Sequence, residues 1–194
     1  MKVLARLQLL IALLLLPACF SVKAYVDPKF HKAGYGTIQR PAQPTPLRLV
    51  AEFQRNGERM PAADQELSGH LDRVLRDTGV FAPGGGAGAP ARLRVVANNI
   101  ADLADARSKG IGTGLTFGAA GSTVSDNYEF TFEYTRADGT AVKTTYQHVI
   151  HSVVGNGDGP EGMTPTTLAD AFGRVVEDVT LNFLADMQAG GKGP

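Results

Sequence analysis

Residues 128–148, YEFTFEYTRADGTAVKTTYQH, alternate aromatic and polar side chains on either side of a turn. Tyr128, Phe130, Phe132 and Tyr134 fall on one side of a period of two, and Glu129, Thr131 and Glu133 on the other. That alternation specifies a strand with one buried face. Ala137-Asp138-Gly139 follows, with glycine where a short hairpin loop needs positive φ. If Arg136 pairs with Thr140, Tyr134 faces Val142, Phe130 faces Tyr146 and Tyr128 faces His148. The same register sets Glu133 across from Lys143 on the other face. Apolar pairs on one side and opposite charges on the other each contribute a few tenths to ~1 kcal/mol. A slip of one residue would undo both patterns together, so this hairpin anchors the remaining assignments.

Upstream, Leu47, Leu49, Ala51 and Phe53 alternate with Arg48, Val50, Glu52 and Gln54, which reads as a further half-buried strand. Asn56-Gly57 turns the chain. From Pro61, the spacing of Leu67, Leu71, Val74 and Leu75 predicts a helix that ends at Gly79. After a loop from Pro83 to Pro90, Leu93, Val95 and Ala97 begin a strand running towards Ile100. Downstream of the hairpin, Thr164 is placed as an N-cap before Pro165. Leu168, Ala171, Phe172, Val175, Val179, Phe183 and Met187 then form one apolar stripe, predicting a long core-facing helix that ends near Gly190. The fold class expected is α+β: a mostly antiparallel sheet of about four strands, two helices on one face, in the order β-α-β-β-β-α. The single domain spans residues 47–190, with a flexible tail at 191–194.

The beginning of the chain has another character. Lys2 and Arg6 precede an apolar run, Leu7 to Leu16, that only Gln8 interrupts. Its ten residues fall well short of the ~20 needed to span a bilayer, so residues 1–18 read as a cleaved export signal. Residues 19–46 contain Pro28, Pro41, Pro44 and Pro46 and no sustained periodicity, which suggests a tether. Tyr25, Phe30 and Tyr35 offer the other option, a segment packed on the domain.

Leu16-Pro17-Ala18-Cys19 resembles the lipobox of bacterial lipoproteins, departing from its usual small residues at Pro17. The resemblance implies that the Cys19 thiol receives a diacylglyceryl group, that cleavage falls before it, and that the new amino terminus is acylated. It also implies sorting to the outer membrane, because Phe20 and Ser21 are not the aspartate that retains such proteins in the inner membrane. Cys19 is the only cysteine of 194 residues, so no intramolecular disulfide exists and acylation accounts for the thiol. The alternative is a soluble periplasmic protein cleaved after Ala24, following Val22-Lys23-Ala24. With the lipobox, the element order is similar to small periplasmic envelope lipoproteins. These include auxiliary lipoproteins of ABC-type transporters and the periplasmic domain of the curli secretion lipoprotein. This likeness implies no site residue.

Removal of residues 1–18 leaves 17 basic and 19 acidic side chains, a net charge of −2 over 176 residues. Nothing in that balance favours phosphate neutralisation, so nucleic acid is not an expected partner. Motifs for chemistry are sparse. Gly84 to Gly88 lacks the Lys-Ser/Thr of a phosphate loop, and in Lys109 to Gly114 the lysine precedes the glycines. His148 and His151 project to opposite faces of a strand and cannot share a metal. Asn156, Asp158 and Glu161 lack EF-hand spacing, and no Gly-x-Ser-x-Gly elbow supports serine catalysis. We therefore expect no catalytic residue, metal or cofactor.

One stretch, Gly110 to Ser125, carries no charge over sixteen residues. Ile111, Leu115, Phe117 and Val124 make it a candidate contact segment for lipid or protein, or a glycine-weakened strand leading into the hairpin. The function expected is that of a non-enzymatic outer-membrane lipoprotein. Held to the membrane through Cys19, it would present a domain that binds or scaffolds an envelope protein partner or oligomer. A lipid or small-molecule carrier is the alternative. An envelope hydrolase is the third class, testable at His148.

Overall fold

A computed structural model describes residues 22–100, 122–191 and 193. Their elements are β1 (Val22–Val26), β2 (Thr45–Arg55), β3 (Glu58–Arg59), α1 (Asp64–Thr78), β4 (Phe81–Pro83), β5 (Ala91–Ile100), β6 (Ser122–Thr135), β7 (Ala141–Val154) and α2 (Leu168–Ala189). The strands form one sheet in the order β1-β7-β6-β5-β2-β3, with β4 beside β2. The architecture is α+β, and the sheet has seven strands where about four were expected. The three additional strands, β1, β3 and β4, have five, two and three residues, too few to show a period.

The β6–β7 hairpin has the register that the chemistry of its two faces specifies. Arg136 N–H donates to the Thr140 carbonyl at 2.9 Å. Tyr134 faces Val142, Phe130 faces Tyr146, Tyr128 faces His148, and Glu133 faces Lys143. The last pair closes an ion pair of 3.1 Å. β5 continues the antiparallel order beside β6. β2 pairs with β5 in parallel, from Leu47 opposite Ala91 to Arg55 opposite Asn99. A parallel pair requires a crossover, and α1 is that crossover, running back between β2 and β5.

Both helices cover one face of the sheet. Its inward side chains include Leu93, Val95 and Ala97 of β5 and Phe130, Phe132 and Tyr134 of β6, all essentially inaccessible. Phe132 stacks on Phe183 of α2 with centroids 4.7 Å apart. The opposite face is polar, with Arg94 between Glu52 (2.8 Å) and Glu133 (3.0 Å). Helix α1 stops where expected, at Gly79, whose φ of 69° is the left-handed cap. Asn56 and Gly57, at φ 51° and 81°, turn β2 into β3.

Two further expectations change. The N-cap of α2 is Thr167, not Thr164: its hydroxyl accepts from the Asp170 N–H at 3.1 Å. The preceding residues are held extended, because Thr166 and Ala24 exchange backbone hydrogen bonds of 2.8 and 2.9 Å. The segment considered as a tether is packed on the domain from Val22 onward, the second of its two readings. β1 pairs with β7 from Val22–Val154 to Val26–Ile150, and Ala24, Tyr25, Ala33 and Ile38 are buried. The loop after β7 closes over Tyr25, where a Cβ on Gly159 would lie 2.3 Å from the Tyr25 ring.

Candidate functional site

Helix α2 buries more than its apolar stripe. Asp178, Thr180 and Asn182 are also buried: Thr180 returns its hydroxyl to the Val176 carbonyl, while residues 27–39 run as a strap along the helix and use Asp178 and Asn182. The Asn182 side-chain carbonyl accepts the N–H groups of Lys32 (3.1 Å) and Ala33 (3.0 Å), and its amide donates to the Phe30 carbonyl at 2.8 Å. Gln188 makes the same double contact with the backbone of Gln39. Tyr35 donates to Glu177 at 3.1 Å.

Asp178 lies at the centre of this strap. One carboxylate oxygen is 3.1 Å from Nε2 of His148, which is fully buried on β7. The other is 2.5 Å from Nδ1 of His31, which is half exposed on the strap. The Val149 N–H points at His148 Nδ1 at 2.9 Å, so Nδ1 accepts and Nε2–H donates to Asp178. Phe30 covers the His148 ring, with centroids 4.9 Å apart. Burial raises the Asp178 pKa, but the bonds from His148 and His31 outweigh it and hold the carboxyl below its usual value. Both carboxylate oxygens are occupied by N–H donors, so the cluster fastens the strap. Residues 31, 148 and 178 are too far apart in the chain for spacing to reveal them.

A second group brings serine, histidine and aspartate together. Ser125 of β6 lies opposite His151 of β7, with Oγ 2.9 Å from Nδ1. Asp27, just beyond β1, is 3.9 Å from His151 Nε2. That separation exceeds a hydrogen bond, and the Asp27 carboxylate is used by the backbone N–H and the ammonium of Lys29 at 3.1 and 3.0 Å. Ser125 and His151 are direct ladder partners, so their side chains meet on one face of the β6–β7 pair. The geometry is that of a cross-strand contact. His148 and His151 occupy opposite faces, as the strand reading requires. Among the described residues, no group of three or more His, Cys, Asp or Glu side chains is placed to hold a metal.

The third feature is an apolar groove of about 420 Å³ where α1, α2 and β2 meet, lined by Phe53, Ala63, Glu66, Tyr128, Leu168 and Phe172. Phe172 contacts Phe53 and Tyr128 with centroids 5.8 Å away in each case. Burial pushes the Tyr128 hydroxyl up to about 12, so it stays protonated. Leu168, at the mouth, is half exposed.

Of the residues singled out from sequence, Cys19, Ile111, Leu115 and Phe117 lie outside the described residues. Val124 is half-buried in β6 opposite Ser152, so the end of the uncharged stretch continues the hairpin strand. Among the described residues, no helix is long and apolar enough to cross a membrane.

No family model and no curated protein matches the chain. Several solved structures are similar to it. The PelC dodecamer protein of Paraburkholderia phytofirmans is 11% identical, with a TM-score of 0.38 over 82% of this chain and 95% of that one. A Xanthomonas campestris protein of the DUF330 type is 16% identical, with a TM-score of 0.44 over 80% and 91%. A minor lipoprotein of Acinetobacter baumannii is 15% identical, with a TM-score of 0.39 over 77% and 96%. At these TM-scores the likenesses carry no site, activity or location over to this chain.

Proposed function

We propose that this chain is a lipoprotein of the bacterial cell envelope, acylated on Cys19 and carried by the outer membrane, whose domain binds or scaffolds an envelope protein without catalysing a reaction. The observation that carries the proposal is the position of the only cysteine, three residues after the end of a ten-residue apolar run and three residues before β1 begins. An acylated cysteine confines the domain to the membrane surface and raises its effective concentration towards any partner there. Ile111, Leu115, Phe117 and Val124 are the residues assigned to that partner.

Replacement Cys19→Ser tests the anchor. The wild type should fractionate with membranes and incorporate labelled palmitate, and the variant should do neither. A variant that stays in the membrane overturns the proposal. Crosslinking through residues 110–125 tests the partner, since recovery of no envelope protein removes that part. The groove at Phe53, Tyr128, Leu168 and Phe172 favours a second reading, a lipid or small-molecule carrier. Lipid extracted from the purified protein would select it.

A further inference from the structure

We infer that one end of this domain rests directly on the lipid surface, with Val22, Met60, Ile100 and Leu168 as its apolar contacts. The inference depends on acylation of Cys19 and adds the face that meets the bilayer.

Chain length keeps the domain close to its anchor. Three residue steps separate Cys19 from Val22, and extended chain covers at most ~3.6 Å per residue, so Val22 lies within about 11 Å of the acylated sulfur's own backbone. No slack is gained beyond it. β1 is paired with β7 along its whole length and bridged by Thr166 on its other edge. A strand fixed on both edges transmits the position of the anchor to the whole sheet.

The topology then determines which end is lowered. β1 runs away from the anchor, so β7 ends towards it and β6 begins there. β5 is antiparallel to β6, and β2 is parallel to β5, so Ile100 and Arg55 terminate at this same end. α1 starts there, because the Asp64 carboxylate accepts the Phe53 N–H at 2.7 Å. Leu168, the first residue of α2, shares the groove with Phe53 and Tyr128.

The exposed apolar side chains have the matching distribution. Among the described residues the exposed large hydrophobics are Val22 (50%), Leu168 (50%), Ile100 (44%), Met60 (40%) and Tyr35 (40%). Tyr35 is bonded to Glu177, Val22, Ile100 and Leu168 belong to the anchored end, and Met60 lies just behind the β2–β3 turn there, its N–H donating to the Phe53 carbonyl at 2.8 Å. Scattered surface hydrophobes need no explanation, but a set gathered at one end does. Val22 stands opposite Val154, which pairs with Ser122, whereas Ile100 pairs with Asn127. The offset of five residues is roughly 17 Å along the strands, so the contact plane is inclined to the sheet. Lys23, Arg55, Glu58 and Asp126 bring both signs of charge to this end, so the attraction is apolar and salt should change it little.

The test uses the full-length acylated protein in vesicles of phosphatidylethanolamine and phosphatidylglycerol. With Cys19 acylated, a cysteine introduced by Leu168→Cys, Ile100→Cys or Asp138→Cys is the one free thiol and takes an environment-sensitive fluorophore. Asp138 lies in the hairpin turn at the far end of β6 and β7. Spin-labelled lipid should quench the labels at 168 and 100 about two-fold or more above that at 138, as expected for groups entering the headgroup region. Hydrogen exchange on unlabelled protein should slow around residues 98–100 and 166–168 when vesicles are present. Equal quenching at the three sites, or no change in exchange, overturns the inference. The mass of the Cys19 adduct on the same samples separates the two claims: an acylated protein with uniform quenching loses only this inference, and an unmodified Cys19 removes the anchor as well.

Discussion

Asp178 occupies a largely buried position in α2, between the sheet and the strap, where solvent reaches it only past His31. Its carboxylate is tolerated because two imidazole N–H groups point at it. Asp178→Ala would leave His148 Nε2–H unpaired in a fully buried site, which costs about 1–3 kcal/mol. Urea denaturation should register that loss, with a smaller one for His31→Ala, because His31 is half exposed and water can replace it. The pH dependence follows from the depressed folded pKa of Asp178. Its contribution is fully present above the unfolded carboxyl value of ~3.9 and is lost as pH falls through the lower folded value. The stability gap between wild type and Asp178→Asn should therefore narrow below about pH 4. Equal acid sensitivity in the two proteins would show that this carboxylate does not drive the transition.

At the scale of elements, the β6–β7 hairpin makes the sharpest claim. Lys143→Glu sets two carboxylates across from each other and should destabilise by a few tenths to ~1 kcal/mol. Adding Glu133→Lys should recover only part of it, because Arg94 also pairs with Glu133. A double-mutant cycle in urea measures the coupling, and 0.5 M salt should shrink it. This hairpin was legible from sequence because residues 128–134 alternate aromatic and polar side chains up to a glycine turn, which leaves one register. Gly79 was legible for a similarly local reason, a left-handed cap after a helical stripe. β1 was not. Val22–Val26 is five residues long, lies close to Pro28, and owes its strand state to β7. The cap of α2 was misplaced because the contact that extends residues 164–166 comes from Ala24, in a distant part of the chain. His31, His148 and Asp178 meet through the same long-range packing, and their spacing carries no signal.

For the molecule as a whole, the packed N-terminal segment distinguishes a tether from a structural part. If residues 19–46 were only a spacer, a chain starting at residue 47 would fold as well as one starting at residue 19. With Ala24, Ala33 and Ile38 buried in the core, Tyr25 buried under the loop after β7, and β1 covering the edge of β7, that truncation should cost about 3 kcal/mol or more. It should also expose an unpaired strand prone to association. Thermal unfolding and light scattering would record both effects. An unchanged midpoint would restore the spacer reading.

The pairing of Val22 with Val154 also bears on timing. The first strand of the domain waits for one of the last, 132 residues later, before it finds its place. Contacts closed across so long a loop form slowly and late. If the chain is exported amino terminus first, as the proposed acylation of Cys19 requires, its leading strand stays unpaired until β7 has followed it. The sheet would then close only after about four-fifths of the chain had been delivered.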